Sequence, residues 1–494
     1  MDNEYVLYLT SRGASIVSGE SKKAVLNIII TEPCSLSKIV SITKLPKSTV
    51  FSILNKFLAD GLVQYEVASD GIGKIYSSNS VRLMSFDRSE DISFNLTSSR
   101  WGPECNLESL EEVPHICFIT IMSAAGFSGV DLMPLYLDFG SQIGKTIIKD
   151  IQPSNCIQAI NDFMKTSQIA NIQSIDETAF SIDVLFPILS SQYATRMMGG
   201  FVGAIYNEAV NKAFNKNCRI CSLKVNAHLD GCHIVIKDGT GIFPPNNSLH
   251  MMSFEIASNG TPALYICEKG VECVSALQEK ILSSMAEGNT TLAEISTSID
   301  SPLSTISFNL DRMGKLGLVK RASNGFVLSS IPCLVWKNPK NELSKLCDRY
   351  IASIAEDPEN AYRYMICFVI TNALRLGMDN RKVIYNTAKS LARFEYDALG
   401  SPPIEEVMDY LRNTARWTRN MDITVIGFRP FKVSIKGDHD LDAIIAETVN
   451  KFFGEFFCEM LKLINHGTKF RVVESIISGD GNRRHTLQIV PIST

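Results

Sequence analysis

The segment SLSKIVSITKLPKSTVFSILNKFLADGLV (35–63) aligns without a gap to TLAEISTSIDSPLSTISFNLDRMGKLGLV (291–319). A repeat of this length binds the fold tightly, because one architecture has to serve both copies. Leu36, Ile39, Pro46, Ser48, Thr49, Leu54, Gly61, Leu62 and Val63 recur as Leu292, Ile295, Pro302, Ser304, Thr305, Leu310, Gly317, Leu318 and Val319. Downstream, Ile116-Cys117-Phe118 recurs at 366–368, and Gly129-Val130-Asp131 is echoed by Gly377-Met378-Asp379. Upstream, VLYLTSRGASIV (6–17) resembles SFEIASNGTPALYI (253–266). Between the halves, IKDGTGIFPPNNS (236–248) is rich in Gly, Pro and Asn and reads as a linker. The expected organisation of this α+β chain is an internal duplication in which small and larger domains alternate, at 1–85, 105–240, 253–335 and 340–494.

Each small unit reads as three helices followed by a two-stranded hairpin. The third helix opens at Pro46, where a missing N–H is harmless. Val50, Ile53, Leu54, Phe57 and Leu58 then recur at helical spacing as one core-facing stripe. Gly61 follows as a C-cap. LVQYEVASDGIGKIYSS (62–78) is expected to turn at Asp70-Gly71, and LVKRASNGFVLSS (318–330) at Asn324-Gly325.

This order, with S-T-V/I opening the third helix and G-L-V closing it, resembles the winged helix-turn-helix of ArsR-type transcription factors. The resemblance covers 25–80 and 276–330. It implies that the third helix enters the major groove of double-stranded DNA. In the first copy Lys47, Ser48, Thr49, Ser52, Asn55 and Lys56 lie off the apolar stripe, and Lys74 stands in the wing. Small polar side chains with lysines suit a phosphate and base-edge surface. The second copy departs there: Lys47 becomes Leu303, Ser52 becomes Phe308 and Asn55 becomes Asp311. Residues 1–80 carry eight Lys/Arg against seven Asp/Glu, whereas 255–335 carry six against eight. The second face is therefore expected to be a weakened reader of DNA or a partner surface.

Each larger unit is expected to begin with a buried strand, HICFITIM (115–122) or YMICFVIT (364–371). Helices follow at 135–151 and 384–399, then another helix, and a strand at 180–187 or 428–435. A long helix at 200–214 or 450–464 leads into a closing strand pair at 219–236 or 469–490. Gly140 and Gly144, matched by Ala388 and Ala392, would let one helix sit close to its neighbour. The layout resembles the vinyl-4-reductase domain, a small-molecule sensor module. The matching residues are Tyr136, Gly140 and Gly144, then Gly200, Phe201 and Gly203, with Gly454 in copy two. Asp230, Gly231, Cys232, Ile234 and Ile236 complete the match. A winged helix before such a domain resembles the methanogen-type regulators of archaea, which implies a response to a small ligand or to redox state through cysteines.

CRICSLKVNAHLDGCH (218–233) concentrates Cys218, Cys221 and Cys232 with two histidines. Three readings stand: buried core, a redox switch activated by Lys216 and Arg219, or a metal site, for which zinc is the candidate. Cys232 and His233 would face opposite sides of a strand, which disfavours joint ligation. The matching stretch of copy two, FRVVESIISGDGNRRH, has no cysteine, so the fold does not need these thiols. Met197, Met198, Phe201 and Tyr206 read as core, or as the lining of a pocket.

The chain has 494 residues, 13 cysteines and a net charge of −4. A scattered, odd number of cysteines suits a reducing cytoplasm. No run of apolar residues is long enough for a membrane span. GSQIGKT (140–146) imitates a phosphate-binding loop, but Phe139 stands where its first glycine belongs. No Ser-His-Asp order, HExxH or GxGxxG with a ribose-binding acid is present, and an enzyme is not expected. The expected function is a DNA-binding transcriptional regulator, acting as a homodimer or as a pseudo-dimeric monomer. A scaffold that binds partners through its winged helices, and a tetrapyrrole-related enzyme, are the alternatives.

Overall fold

The computed structural model describes residues 4–10, 13–68, 73–87, 113–127, 130–176, 180–186, 192–248, 263–267, 270–286, 289–335, 340–376, 381–414, 417 and 421–492. Gly129, Gly377-Met378-Asp379 and the Asp70-Gly71 turn lie outside them.

The first small unit comprises β1 (Glu4–Thr10), β2 (Gly13–Ser18), α1 (Glu20–Thr31), β3 (Cys34–Ser35), α2 (Leu36–Thr43), α3 (Lys47–Ala59), β4 (Gln64–Val67), β5 (Lys74–Ser77) and β6 (Val81–Asp87). Strands β3, β5 and β4 make a small antiparallel sheet against the three helices. β2, β1 and β6 belong to a second sheet, which Val130–Asp131 of the larger unit extends as a fourth strand beside β6. Val50, Ile53, Leu54 and Phe57 are buried under α3 with Val25, Leu26 and Ile39, as their spacing dictates. Lys44 ends α2 with φ 56°, and Pro46 caps α3 with φ −56° and ψ 140°. Gly61, at φ 73°, sits one residue beyond the cap at Asp60 and lets Leu62 N–H reach Phe57 O.

The first larger unit comprises α4 (Val113–Phe127), β7 (Val130–Asp131), α5 (Met133–Ile147), α6 (Cys156–Ser167), β8 (Asn171–Asp176), β9 (Ser181–Leu185), α7 (Gln192–Phe214), β10 (Cys218–Val225) and β11 (Gly231–Asp238). The second small unit runs β12 (Ala263–Cys267), β13 (Gly270–Val274), α8 (Ala276–Ala286), α9 (Leu292–Ile299), α10 (Leu303–Leu316), β14 (Val319–Ala322), β15 (Gly325–Leu328) and β16 (Ser330–Val335). The second larger unit runs α11 (Ser344–Glu356), α12 (Ala361–Arg375), α13 (Arg381–Ala398), α14 (Ile404–Asn413), β17 (Met421–Phe428), β18 (Phe431–Gly437), α15 (Ala443–Ile464), β19 (Phe470–Ser478) and β20 (Arg484–Pro491).

Several backbone details of the first half recur in the second. Pro302 repeats the Pro46 cap with the same φ −56° and ψ 140°. Asp300 repeats the left-handed turn of Lys44 at φ 50°. Ser78 and Ser329, each just after the second wing strand, both donate to the loop that follows the third helix, at acceptors one residue apart: Leu62 O at 2.6 Å and Gly317 O at 2.8 Å. The sheets of the larger units share one strand order, β8-β9-β11-β10 and β17-β18-β20-β19. The core of the two larger units is a single hydrophobic cluster, with Phe139 stacked on Phe368 at 4.3 Å between ring centres.

Four expectations need correction. The apolar stretches at 115–122 and 364–371 are helices α4 and α12, not strands. Such a run carries no polar face because α4 is enclosed by α7, α12 and α13, and periodicity then cannot separate helix from strand. Of the stretch 253–266 matched to the first hairpin, residues 253–262 lie outside the described residues, and the described counterpart of β1 and β2 starts at Ala263. It is β12 with β13, and the register shift of Leu7/Tyr8 against β6 recurs at Leu264/Tyr265 against β16. Edge strands β8 and β17 were not anticipated, nor was β6.

The fourth correction concerns the linker. β11 extends to Asp238, and the chain then lies as a strap across the first half. Ile242 N–H bonds to Ile220 O at 2.9 Å. Asn246 accepts from Arg82 N–H at 2.6 Å and donates to Arg82 O at 2.9 Å, as a neighbouring strand would. Asn247 donates to Ser78 O and Ser80 O at 2.9 and 2.8 Å, and Ser248 donates to Asp138 of α5 at 2.8 Å. The strap fastens the small unit to the larger one.

Candidate functional site

The α3 stripe buries one side of the helix and leaves the other in solvent. Lys47, Ser48, Thr49, Ser52, Asn55 and Lys56 are all exposed. Lys47, Ser48 and Thr49 form the first turn, where backbone N–H groups point outward and the helix dipole favours anions. No acidic residue occupies that turn. Ser52 and Asn55 continue the same face one and two turns along, with Lys56 beside them. Lys74 stands at the start of β5, its ammonium 3.8 Å from the centre of the Tyr65 ring. The pair is diagonal across β4 and β5, so the ring steadies the ammonium on the wing. Six of the seven residues expected from the sequence are exposed on α3, and Lys74 is exposed on the wing.

The second copy presents a different chemistry on the same scaffold. Leu303 and Phe308 are 54% and 68% exposed, the latter beyond Phe51, which is 50% exposed in copy one. Asp311 is exposed beside Arg312 and Lys315. α9 carries a full capping box between Thr291 and Glu294, so the scaffold of this copy is locally well specified despite its altered face.

The cysteine stretch is spread through a strand pair. Cys218 opens β10 and is buried; Cys232 stands second in β11 and is buried; Cys221 is half-buried. None of the three carries a disulfide. The expected activation of Cys218 does not occur. Burial and the Asp238 carboxylate raise its pKa, and Lys216 only partly offsets them. Burial pushes Cys232 up to about 12. Its sulfur donates to Thr195 O at 3.3 Å and fills the space left by Gly199 on α7. His233 points to the other side of β11 and bonds Asp183 at 2.8 Å. Among the described residues, no group of three His, Cys, Asp or Glu side chains is placed to hold a metal ion. With native protein and a limiting alkylating agent, Cys221 is expected to be modified first of these three. Cys232 should react only after denaturant is added; early labelling of Cys232 by mass spectrometry would contradict its burial.

Met197, Met198, Phe201 and Tyr206 are all buried core side chains of α7. GSQIGKT lies wholly within α5, so the loop a nucleotide phosphate needs does not form there. Gly140 and Gly144 face α7 instead: a Cβ on Gly144 would meet Ile205 O at 2.8 Å, and one on Gly140 would run into Phe201 O. A polar residue that sequence reasoning missed is His485 of β20. It is 2% exposed, and neither ring nitrogen has a hydrogen-bond partner among the described residues. Its only sequence signal is a histidine on the core face of an alternating strand.

Among the described residues, no helix is long and apolar enough to cross a membrane. Comparison with protein-family models, with curated proteins and with solved structures yielded no match in any of the three.

Proposed function

We propose that the chain is a DNA-binding transcriptional regulator whose larger units respond to a small ligand or to redox state. The observation that carries this reading is the open α3 face. Two lysines and four small polar side chains lie on it with a helix N-terminus free of acidic residues, and Lys74 is exposed on the wing. Such a surface meets phosphates through the lysines and first-turn N–H groups, and base edges through Ser52 and Asn55. The strap offers a mechanical path from the larger unit to the small one, because Asn246, Asn247 and Ser248 bridge β6 and α5. A change that biases α5 or α7 would move the α3 face with it.

A mobility-shift assay with the chain's own upstream DNA, run at low and raised salt, tests the reading. Binding at low salt that falls steeply with salt is expected. Lys47→Glu and Ser52→Asp should each weaken it about tenfold or more, since each sets a carboxylate against phosphate. Phe308→Ala should leave it nearly unchanged. No shift at low salt would overturn the reading.

The exposed Leu303 and Phe308 favour a second role for copy two, a face that meets protein instead of DNA.

A further inference from the structure

The shared register of the two four-stranded sheets allows the larger units to be compared position by position. In the first, Ile234 and Cys232 of β11 pair with Ile182 and Val184 of β9. In the second, Leu487 and His485 of β20 pair with Val433 and Ile435 of β18, so His485 stands where Cys232 does. The long helices match as well. Gly203 faces Ile220 and Gly454 faces Val472, and those two residues pair with Ile236 and Ile489. One turn earlier, Gly199 faces Leu223 and Asn450 bonds Ser475, again at equivalent points of the sheets. Counting back from Gly203 and Gly454, Met197 and Met198 become Thr448 and Val449. Counting back from Gly140 and Ala388, Tyr136 of α5 becomes Ile384 of α13.

All three exchanges shorten a buried side chain. Tyr136, Met197 and Met198 are part of the packed core of the first larger unit. Ile384, Thr448 and Val449 instead border a cavity of about 140 Å³ beneath α15. Ile366, Ile435 and Phe452 continue its wall, and Pro114 and Cys117 of α4 close it from the first larger unit. A cavity of this size in a core is destabilising unless something fills it. An apolar cavity of about 150 Å³ accepts a molecule of the size of benzene.

The polar groups of the lining are occupied within the protein or turned away. Thr448 Oγ1 donates to Ile444 O inside α15 at 2.9 Å. Arg483 is held by Asp440 at 2.6 Å, with Asp438 close to it. Arg363 has a partner of its own. Both ring nitrogens of His485 are shut off from the cavity, so the ring offers it carbon. A charged ligand would lose its water here and gain no countercharge, whereas an apolar one gives up no hydrogen bonds on entering.

We propose that the cavity beneath α15 is a binding site for a compact, uncharged, apolar molecule, cyclic or branched and of about the size of benzene. It lies against Ile384, Val449 and Phe452. Because α4 supplies Pro114 and Cys117 to the same wall, the occupant touches both larger units at once. This deepens the sensing part of the proposed function and rests on it for its regulatory meaning; the binding itself does not depend on DNA.

Calorimetric titration of the full chain with benzene, without DNA, is the direct test, with thermal melting alongside. One saturable site per chain is expected, and a melting temperature that rises with benzene concentration. Benzoate, the same ring with a charge, should bind at least tenfold more weakly. Thr448→Met and Val449→Met restore the side chains of the first larger unit, and each should weaken benzene binding at least tenfold by filling the space. Methyl NMR of the unaltered chain locates the site without any substitution: the signals of Ile384, Ile435 and Val449 should shift most on adding benzene. Absence of saturable binding would show a packing void only and overturn the proposal. So would benzoate binding as tightly as benzene, full benzene affinity in both Met variants, or unmoved Ile384, Ile435 and Val449 signals. Benzene binding in a chain that does not shift DNA would uphold the site and remove the regulator reading instead.

Discussion

Gly140→Ala is expected to destabilise the first larger unit by several kcal/mol, on the order of 3, although a glycine-to-alanine change within a helix normally stabilises it by up to about 1 kcal/mol. The reason is local. α5 approaches α7 so closely at this point that a Cβ would enter the van der Waals space of the Phe201 carbonyl oxygen, and Ala204 Cβ would stand at 3.0 Å. A backbone oxygen inside a helix cannot swing aside as a flexible side chain can. The helices must separate, and buried Phe139, Ile143, Phe201 and Ile205 lose contact together. The equivalent residue of copy two is Ala388, fully buried on α13 against α15. Ala388→Gly should therefore cost only about 1 kcal/mol, from helix propensity and a small void. Urea unfolding of both variants measures the contrast. Equal small effects would mean that α5 and α7 are not packed this closely.

Unfolding free energy is expected to fall as pH drops from about 6.5 towards 4, and His485 should account for a large share. Burial lowers its pKa from 6.5 to about 4. The folded chain keeps this ring neutral, whereas the unfolded chain protonates it below 6.5. Between those values the unfolded state holds more protons, so stability rises with pH across the window and is fully present above it. A shift of this size corresponds to roughly 3 kcal/mol. His115, stacked on Tyr362 at 3.7 Å, acts in the same direction, since burial lowers its pKa to about 3. The clean comparison is wild type against His485→Leu at pH 7 and pH 4.5. The variant should lose markedly less stability on acidification; parallel losses would show that His485 is not held neutral.

What the sequence disclosed followed from periodicity. The α3 stripe and the capping residues were legible because a surface helix must alternate burial and exposure along its length, and Val50, Ile53, Leu54 and Phe57 do so. The closeness of α5 and α7 was legible from Gly140 and Gly144 at a spacing of four. Helices α4 and α12 were not, because a segment enclosed on every side has no polar face to mark its period. The strap was read as a linker because Gly, Pro and Asn signal irregular backbone equally well whether it hangs free or is bonded at each residue. The redox-switch reading of Cys218 leaned on neighbouring cations, yet exclusion of water from the thiol outweighs Lys216. The exchange of Cys232 for His485 was hidden in a different way. It depends on which residues pair across β9 and β11, or β18 and β20, and a three-dimensional register supplies that.

Carrying both larger units on one chain also fixes how they stay together. Partners that meet as separate molecules part on dilution, and their melting temperature falls with concentration. Here the two larger units share one core within one polypeptide. Their association is intramolecular and indifferent to how much protein is present. Nor does symmetry bind the copies to each other's sequence. In a homodimer every substitution appears twice, at two related surfaces. In this chain a change on α3 leaves α10 untouched, which is how lysine and serine could persist at one helix while leucine and phenylalanine came to occupy the other.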